Sequence, residues 1–149
     1  MGQLSKRLES TSKVGLDTTI FIHLFKNPPI YAPLTRELIT TIEKGTGKGI
    51  SSSKTLMKIT VKPLSLVRND IARKYEALLM NFPNLDVVDL DRDVIRQAAR
   101  LRAEYQLRPP DALQVSACLL GGSKTFITND RQISRLREKL DIIVLDDLR

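Results

Sequence analysis

The chain has 149 residues, 42% hydrophobic and 28% charged, and its 24 Lys and Arg against 17 Asp and Glu leave a formal net charge of +7. This length and balance fit one ordinary folded domain with a sizeable core, and exclude a low-complexity chain. The single cysteine, Cys118, excludes an internal disulfide framework, and no apolar run nears the roughly 18–20 residues that a membrane-spanning helix needs. The basic balance is compatible with a polyanionic partner without requiring one.

Residues 1–13 are polar and basic and lack the apolar core of a signal peptide, so they read as a flexible basic N-terminal tail on a cytoplasmic protein. Residues 14–149 read as one domain. Val14-Gly15-Leu16 is a short apolar run ending at Asp17, and Ile20, Phe21, Leu24 and Phe25 follow at helical spacing until Asn27-Pro28-Pro29 stops them. The reading is strand, acid, helix, with Thr18 as a candidate cap. An acid in that place meets the exposed N–H groups of a helix start. His23 is the only histidine and offers no metal-ligand pair.

Leu34, Leu38, Ile39 and Ile42 predict an amphipathic helix closed by Gly45, with Glu37 solvated. The glycines of 45–49 do not have the spacing of a phosphate-binding loop and read as a turn into the strand Ile50-Ser51-Ser52. Ser53 opens a helix that Pro63 should break, with Lys54, Lys58 and Lys62 on one face as a solvated stripe. A long helix from Leu64 to Phe82 and a strand around Val87-Val88 come next. Asp91 and Asp93 read as a cap and a dipole partner for a helix to about Gln106. Arg92, Arg96, Arg100, Arg102 and Arg108 make either a solvated face or a phosphate-contact surface.

Pro109-Pro110-Asp111 then opens a nearly all-apolar helix, interrupted only by Gln114 and Ser116 and stopped by Gly121-Gly122. Thr125-Phe126-Ile127-Thr128 suits a central strand, and Asp130 lies just past it. A strand running back along the preceding helix brings Asp130 beside Asp111. A short basic helix over 131–139 and a strand over 141–145 close the chain.

Five short strands alternating with helices predict the α/β class: a single-domain three-layer α/β/α fold with a mostly parallel five-stranded sheet. In such sheets the functional crevice lies beyond the carboxyl ends of the strands, where strand order reverses. Asp17, Asp111 and Asp130 should gather there. Three carboxylates without a paired histidine or cysteine make a hard oxygen site suited to Mg²⁺ or Mn²⁺.

Val14-Gly15-Leu16-Asp17-Thr18-Thr19-Ile20-Phe21-Ile22, the stretch from Leu107 to Ala117, and Phe126-Ile127-Thr128-Asn129-Asp130-Arg131 together resemble a PIN domain of the VapC toxin type. The resemblance implies a PIN-like fold and a magnesium-dependent endoribonuclease. It also implies RNA as substrate, a cognate antitoxin as partner, and a homodimer. It puts the family's first, third and fourth acids on Asp17, Asp111 and Asp130, with Thr18, Thr128 and Asn129 in supporting positions. The second acid is the departure: Lys58 stands where a glutamate is expected. Lys58 should then point an ammonium into the carboxylates, pair with Asp17 or Asp111, and compete with the metal. The expected function is therefore an impaired ribonuclease. The alternative is a catalytically inactive PIN module that binds RNA or a protein partner. A phosphotransfer domain is disfavoured, because Asp17-Thr18-Thr19 lacks a second aspartate two residues on.

Overall fold

Parallel strands need long crossovers, and this chain supplies a helical connection between most of its strands. In the computed structural model, which describes residues 2–9, 13–26 and 28–148, five strands form one sheet. They are β1 (Lys13–Leu16), β2 (Lys48–Ser52), β3 (Leu85–Val88), β4 (Thr125–Thr128) and β5 (Asp141–Val144). Their order is β3-β2-β1-β4-β5, and every pairing is parallel. The chain runs outward from β1 to β3, then returns to lay β4 on β1's other side. Strand order therefore reverses between β1 and β4.

The helices are α1 (Gln3–Glu9), α2 (Thr18–Lys26), α3 (Ala32–Glu43), α4 (Lys54–Ser65), α5 (Asn69–Met80), α6 (Arg92–Tyr105) and α7 (Pro109–Leu120), with 3-10 turns over Arg131–Leu136 and Leu145–Leu148. Side chains alternate across the strands. Val14, Leu16, Ile127 and Ile143 face one layer, with Leu4, Phe21, Leu38 and Leu79. Ile50, Phe126, Ile142 and Val144 face the other, with Leu101, Val115 and Cys118. The three-layer α/β/α expectation holds, with a sheet that is wholly parallel. No helix of the described residues is long and apolar enough to cross a membrane.

Five local expectations need correction. The stretch expected to be a loose tail contains α1, because Leu4 and Leu8, four apart, form an apolar stripe that is fully buried against α3. Glu37 is not free in solvent: its carboxylate accepts the N–H and the hydroxyl of Ser5 at 2.9 and 2.7 Å. Pro63 does not break α4, since it lies in the last turn. The break comes at Val67, which takes a left-handed φ of 56° while the Arg68 N–H returns to the Pro63 carbonyl at 2.8 Å. The helix expected from Leu64 accordingly starts only at Asn69. The basic segment after Asp130 forms a 3-10 turn.

Candidate functional site at the carboxyl ends of β1 and β4

Asp17 leaves β1 and itself takes the cap position of α2, the place the sequence offered to Thr18. It is 6% exposed. Its Oδ1 accepts the Thr18 N–H at 2.8 Å, and its Oδ2 accepts the Thr128 hydroxyl at 2.6 Å. Thr128 ends β4, and its hydroxyl oxygen also accepts the Asp130 N–H at 2.9 Å. One hydroxyl thus ties the two strand ends together. Burial pushes the Asp17 carboxyl above its ordinary range, and the negative charge of Asp111 adds to that, while the Thr128 and Thr18 hydrogen bonds and Lys54 oppose it.

Asp111 sits in the first turn of α7, and Asp130 caps the 3-10 turn by accepting the Gln132 N–H at 2.9 Å. Arg108 spans the two acids. Its Nε donates to Asp111 Oδ2 at 3.0 Å and its Nη2 to Asp130 Oδ2 at 3.1 Å. The sequence placed Arg108 with the arginines of α6, but the extended backbone just before Pro109 turns it into the crevice. The remaining supporting residues divide. The Thr18 hydroxyl meets that of Thr55 at 3.3 Å. Asn129 faces away, donating to Tyr31 Oη at 2.7 Å and accepting the Asp146 N–H at 3.0 Å, so it anchors the end of the chain.

The amine at the centre belongs to Lys54. Lys58 is exposed and forms no ion pair among the described residues, contrary to the pairing expected for it. It lines an apolar groove with Ile22, Ile59 and Tyr75, between α2, α4 and α5. Lys54 is 7% exposed and feels the charges of Asp17, Lys58, Asp111 and Arg108; burial lowers its pKa against the pull of the two acids. The reason is helix geometry. Lys54 is the first residue of α4, beside the strand ends, whereas Lys58 is a full turn, about 6 Å, farther along the axis.

A buried polar network holds this arrangement. Gln114, fully buried on α7, donates through Nε2 to the Leu16 carbonyl at 2.9 Å and to the hydroxyls of Ser51 and Thr55 at 3.3 Å. Its Oε1 accepts the Ser52 hydroxyl at 2.5 Å. Ser51 and Thr55 also bond each other at 2.9 Å. Gln114 therefore fixes the ends of β1 and β2 and the start of α4 to one helix. The sequence marked Gln114 only as a polar break, yet a lone amide on an otherwise apolar helix needs partners when buried, and that was the available signal.

The three carboxylates are oxygen donors of the kind hard cations prefer. As folded, though, they do not fit a divalent ion. Among the described residues no three acidic, histidine or cysteine side chains stand close enough to enclose a metal. Arg108 bridges two of the three acids, and the positive charge of Lys54 acts on Asp17 and Asp111.

A family model described as the PIN domain matches residues 14–139. The fold is similar to that of a toxin–antitoxin complex from Klebsiella pneumoniae, with a TM-score of 0.62 at 21% identity, over 90% of this chain and 98% of that one. It is also similar to VapBC2 from Rickettsia felis bound to a promoter DNA fragment, with a TM-score of 0.65 at 17% identity, over 89% and 98%. DNA-bound VapBC from Salmonella typhimurium gives 0.60 at 21% identity, over 89% and 98%. Among curated proteins no sequence matches significantly.

Proposed function

Because the chain belongs to the PIN domain family, we propose that it is a VapC-type toxin, an endoribonuclease by reaction class, whose Mg²⁺- or Mn²⁺-dependent hydrolysis of RNA is impaired in this sequence. The observation that supports this most is the joining of Asp17 and Asp130 through Thr128, and of Asp130 and Asp111 through Arg108, at the reversal of strand order. The chemistry would reside on Asp17, Asp111 and Asp130. Thr128 and the Thr18 N–H hold the Asp17 carboxylate in one orientation.

The impairment follows from charge. Lys58 replaces the acid expected one turn into α4, and Lys54, the first residue of that helix, adds its positive charge to Asp17 and Asp111. Two unit charges about 4 Å apart at an effective dielectric near 20 interact by about 4 kcal/mol, and less at longer range. A divalent ion would have to overcome both ammonium groups as well as Arg108. The exposed arginines of α6, with Arg108 and Lys58, would supply cations for the phosphates of an RNA strand. One similar structure is a toxin–antitoxin complex and two are DNA-bound VapBC, so we assign the chain a cognate antitoxin. Met57, Val61 and Leu64 make an exposed apolar stripe on α4, which suits a homodimer.

The test is RNA cleavage in Mg²⁺ or Mn²⁺ by the purified chain and its Lys54→Leu/Lys58→Glu variant. The chain should cleave poorly, and the variant should gain about tenfold or more, a gain that Asp111→Ala abolishes. Absence of any gain sinks the nuclease reading. The near balance of acids and bases also favours a second reading, a non-catalytic RNA-binding module. Salt-sensitive RNA binding without cleavage by any variant would decide for it.

A further inference from the structure

Arg108 covers two of the three acids by side-chain contacts alone. Its Nε donates to Asp111 Oδ2 at 3.0 Å and its Nη2 to Asp130 Oδ2 at 3.1 Å, and among the described residues its side chain makes no other hydrogen bond. The other oxygen of Asp130 accepts the Gln132 N–H at 2.9 Å, so both oxygens of that carboxylate are committed while Arg108 is in place. The Arg108 side chain is 64% exposed, against 13% for Asp111 and 28% for Asp130, so the guanidinium lies on the solvent side of the acids. Ion pairs of a side chain this exposed are weak, and another anion can replace them. The two prolines that follow fix the Arg108 backbone, at φ −66° and ψ 149°, but leave its side chain free to turn. They have a second effect. Pro109 and Pro110 carry no N–H, so the start of α7 lacks two of the backbone donors that a helix ordinarily offers an anion. An anion reaching this end of α7 is met by the guanidinium instead, whose planar fork of donors matches carboxylate and phosphate alike. Two carboxylates and an incoming phosphate therefore compete for one side chain.

We propose that Arg108 is a two-position switch, closed on Asp111 and Asp130 in the free protein and open onto a phosphate of a bound RNA strand, which uncovers the two acids. The open position rests on the RNA reading above; the closed position does not. While closed, Arg108 keeps cations off Asp111 and Asp130, and the two carboxylates keep Arg108 from RNA. Binding RNA then breaks both ion pairs. The acids therefore weaken RNA binding through Arg108, and not only through their own charge.

A double-mutant cycle in RNA affinity separates those two effects. The full chain is titrated in EDTA against a fluorescein-labelled single-stranded RNA, with anisotropy as the signal. Asp111→Asn/Asp130→Asn should bind about tenfold more tightly than the parent, whereas the same changes made on Arg108→Gln should gain no more than about threefold. An equal gain with and without Arg108 overturns the switch, because the acids would then act by charge alone. Asp130→Asn alone replaces the pair if the doubly changed protein fails to fold. Mn²⁺ binding, followed by electron paramagnetic resonance of the free ion, tests the closed position without RNA. Arg108→Gln should bind Mn²⁺ about tenfold more tightly than the parent. Arg108→Lys, whose single ammonium lacks the fork, should fall between them. Equal Mn²⁺ affinity in all three overturns the closed position. If no protein binds RNA, the RNA reading fails and the open position falls with it, while the Mn²⁺ titration still decides whether Arg108 covers the acids.

Discussion

Replacing Gln114 by methionine removes the amide while nearly keeping its volume, so the effect isolates the polar network. Two partners lose a hydrogen bond: the Leu16 carbonyl, reached at 2.9 Å, and the Ser52 O–H, which donates at 2.5 Å while its oxygen keeps the Lys54 N–H. Ser51 and Thr55 keep one another at 2.9 Å, so the weaker contacts at 3.3 Å add little. A buried group left unsatisfied costs about 1–3 kcal/mol, so two should cost about 3 kcal/mol once the gain from burying an apolar side chain is set against them. For a domain of this size that lowers the melting temperature by roughly 6–12 °C. Urea unfolding followed by far-ultraviolet circular dichroism measures it, provided the slope stays constant. A loss below about 1 kcal/mol would refute the reasoning, because Gln114 would then not be what binds the ends of β1 and β2 to α7.

Three further outcomes follow from other parts of the fold. Burial raises the Glu37 carboxyl, but the hydrogen bonds from Ser5 outweigh it and hold the group below its ordinary range. Its contribution is therefore complete above the unfolded carboxylate value, near pH 4.3, and is lost as pH falls through the lower folded value. The parent's advantage over Glu37→Gln, about 1 kcal/mol at neutral pH for this half-exposed group, should vanish in acid; an advantage constant with pH contradicts the assignment. Val67 is a β-branched residue held at φ 56° and largely exposed, so Val67→Gly should stabilise by about 1 kcal/mol, and thermal melting checks the sign. A Cβ on Gly15 would lie 2.8 Å from both Cys118 Cβ and Phe126 Cδ1, in the middle of the sheet. Gly15→Ala should cost about 1–3 kcal/mol in urea unfolding.

Much of the architecture was legible in the sequence because it rests on local pattern. Apolar runs ending in acids marked β1 and β4, the proline pair and Gly121-Gly122 bounded α7, and Asp91 announced the cap it makes to the Val94 N–H at 3.0 Å. Alternation of strands and helices was enough to imply a parallel sheet and to send Asp17, Asp111 and Asp130 toward one end of it. The α1 helix was missed because only two leucines carry it, and its stability comes from α3 rather than from its own composition.

The charge arrangement inside the crevice was decided by tertiary structure alone. In sequence Lys54 and Lys58 are equivalent members of one basic stripe, and only the packing of α4 against the strand ends buries the first and leaves the second in solvent. Arg108 likewise reads as one arginine among several until Pro109 and α7 carry it between Asp111 and Asp130. Hydrophobic periodicity depends on neighbours a few residues away, so one chain displays it. The balance between cations and carboxylates in the crevice depends on through-space distances, which exist only once the sheet has closed.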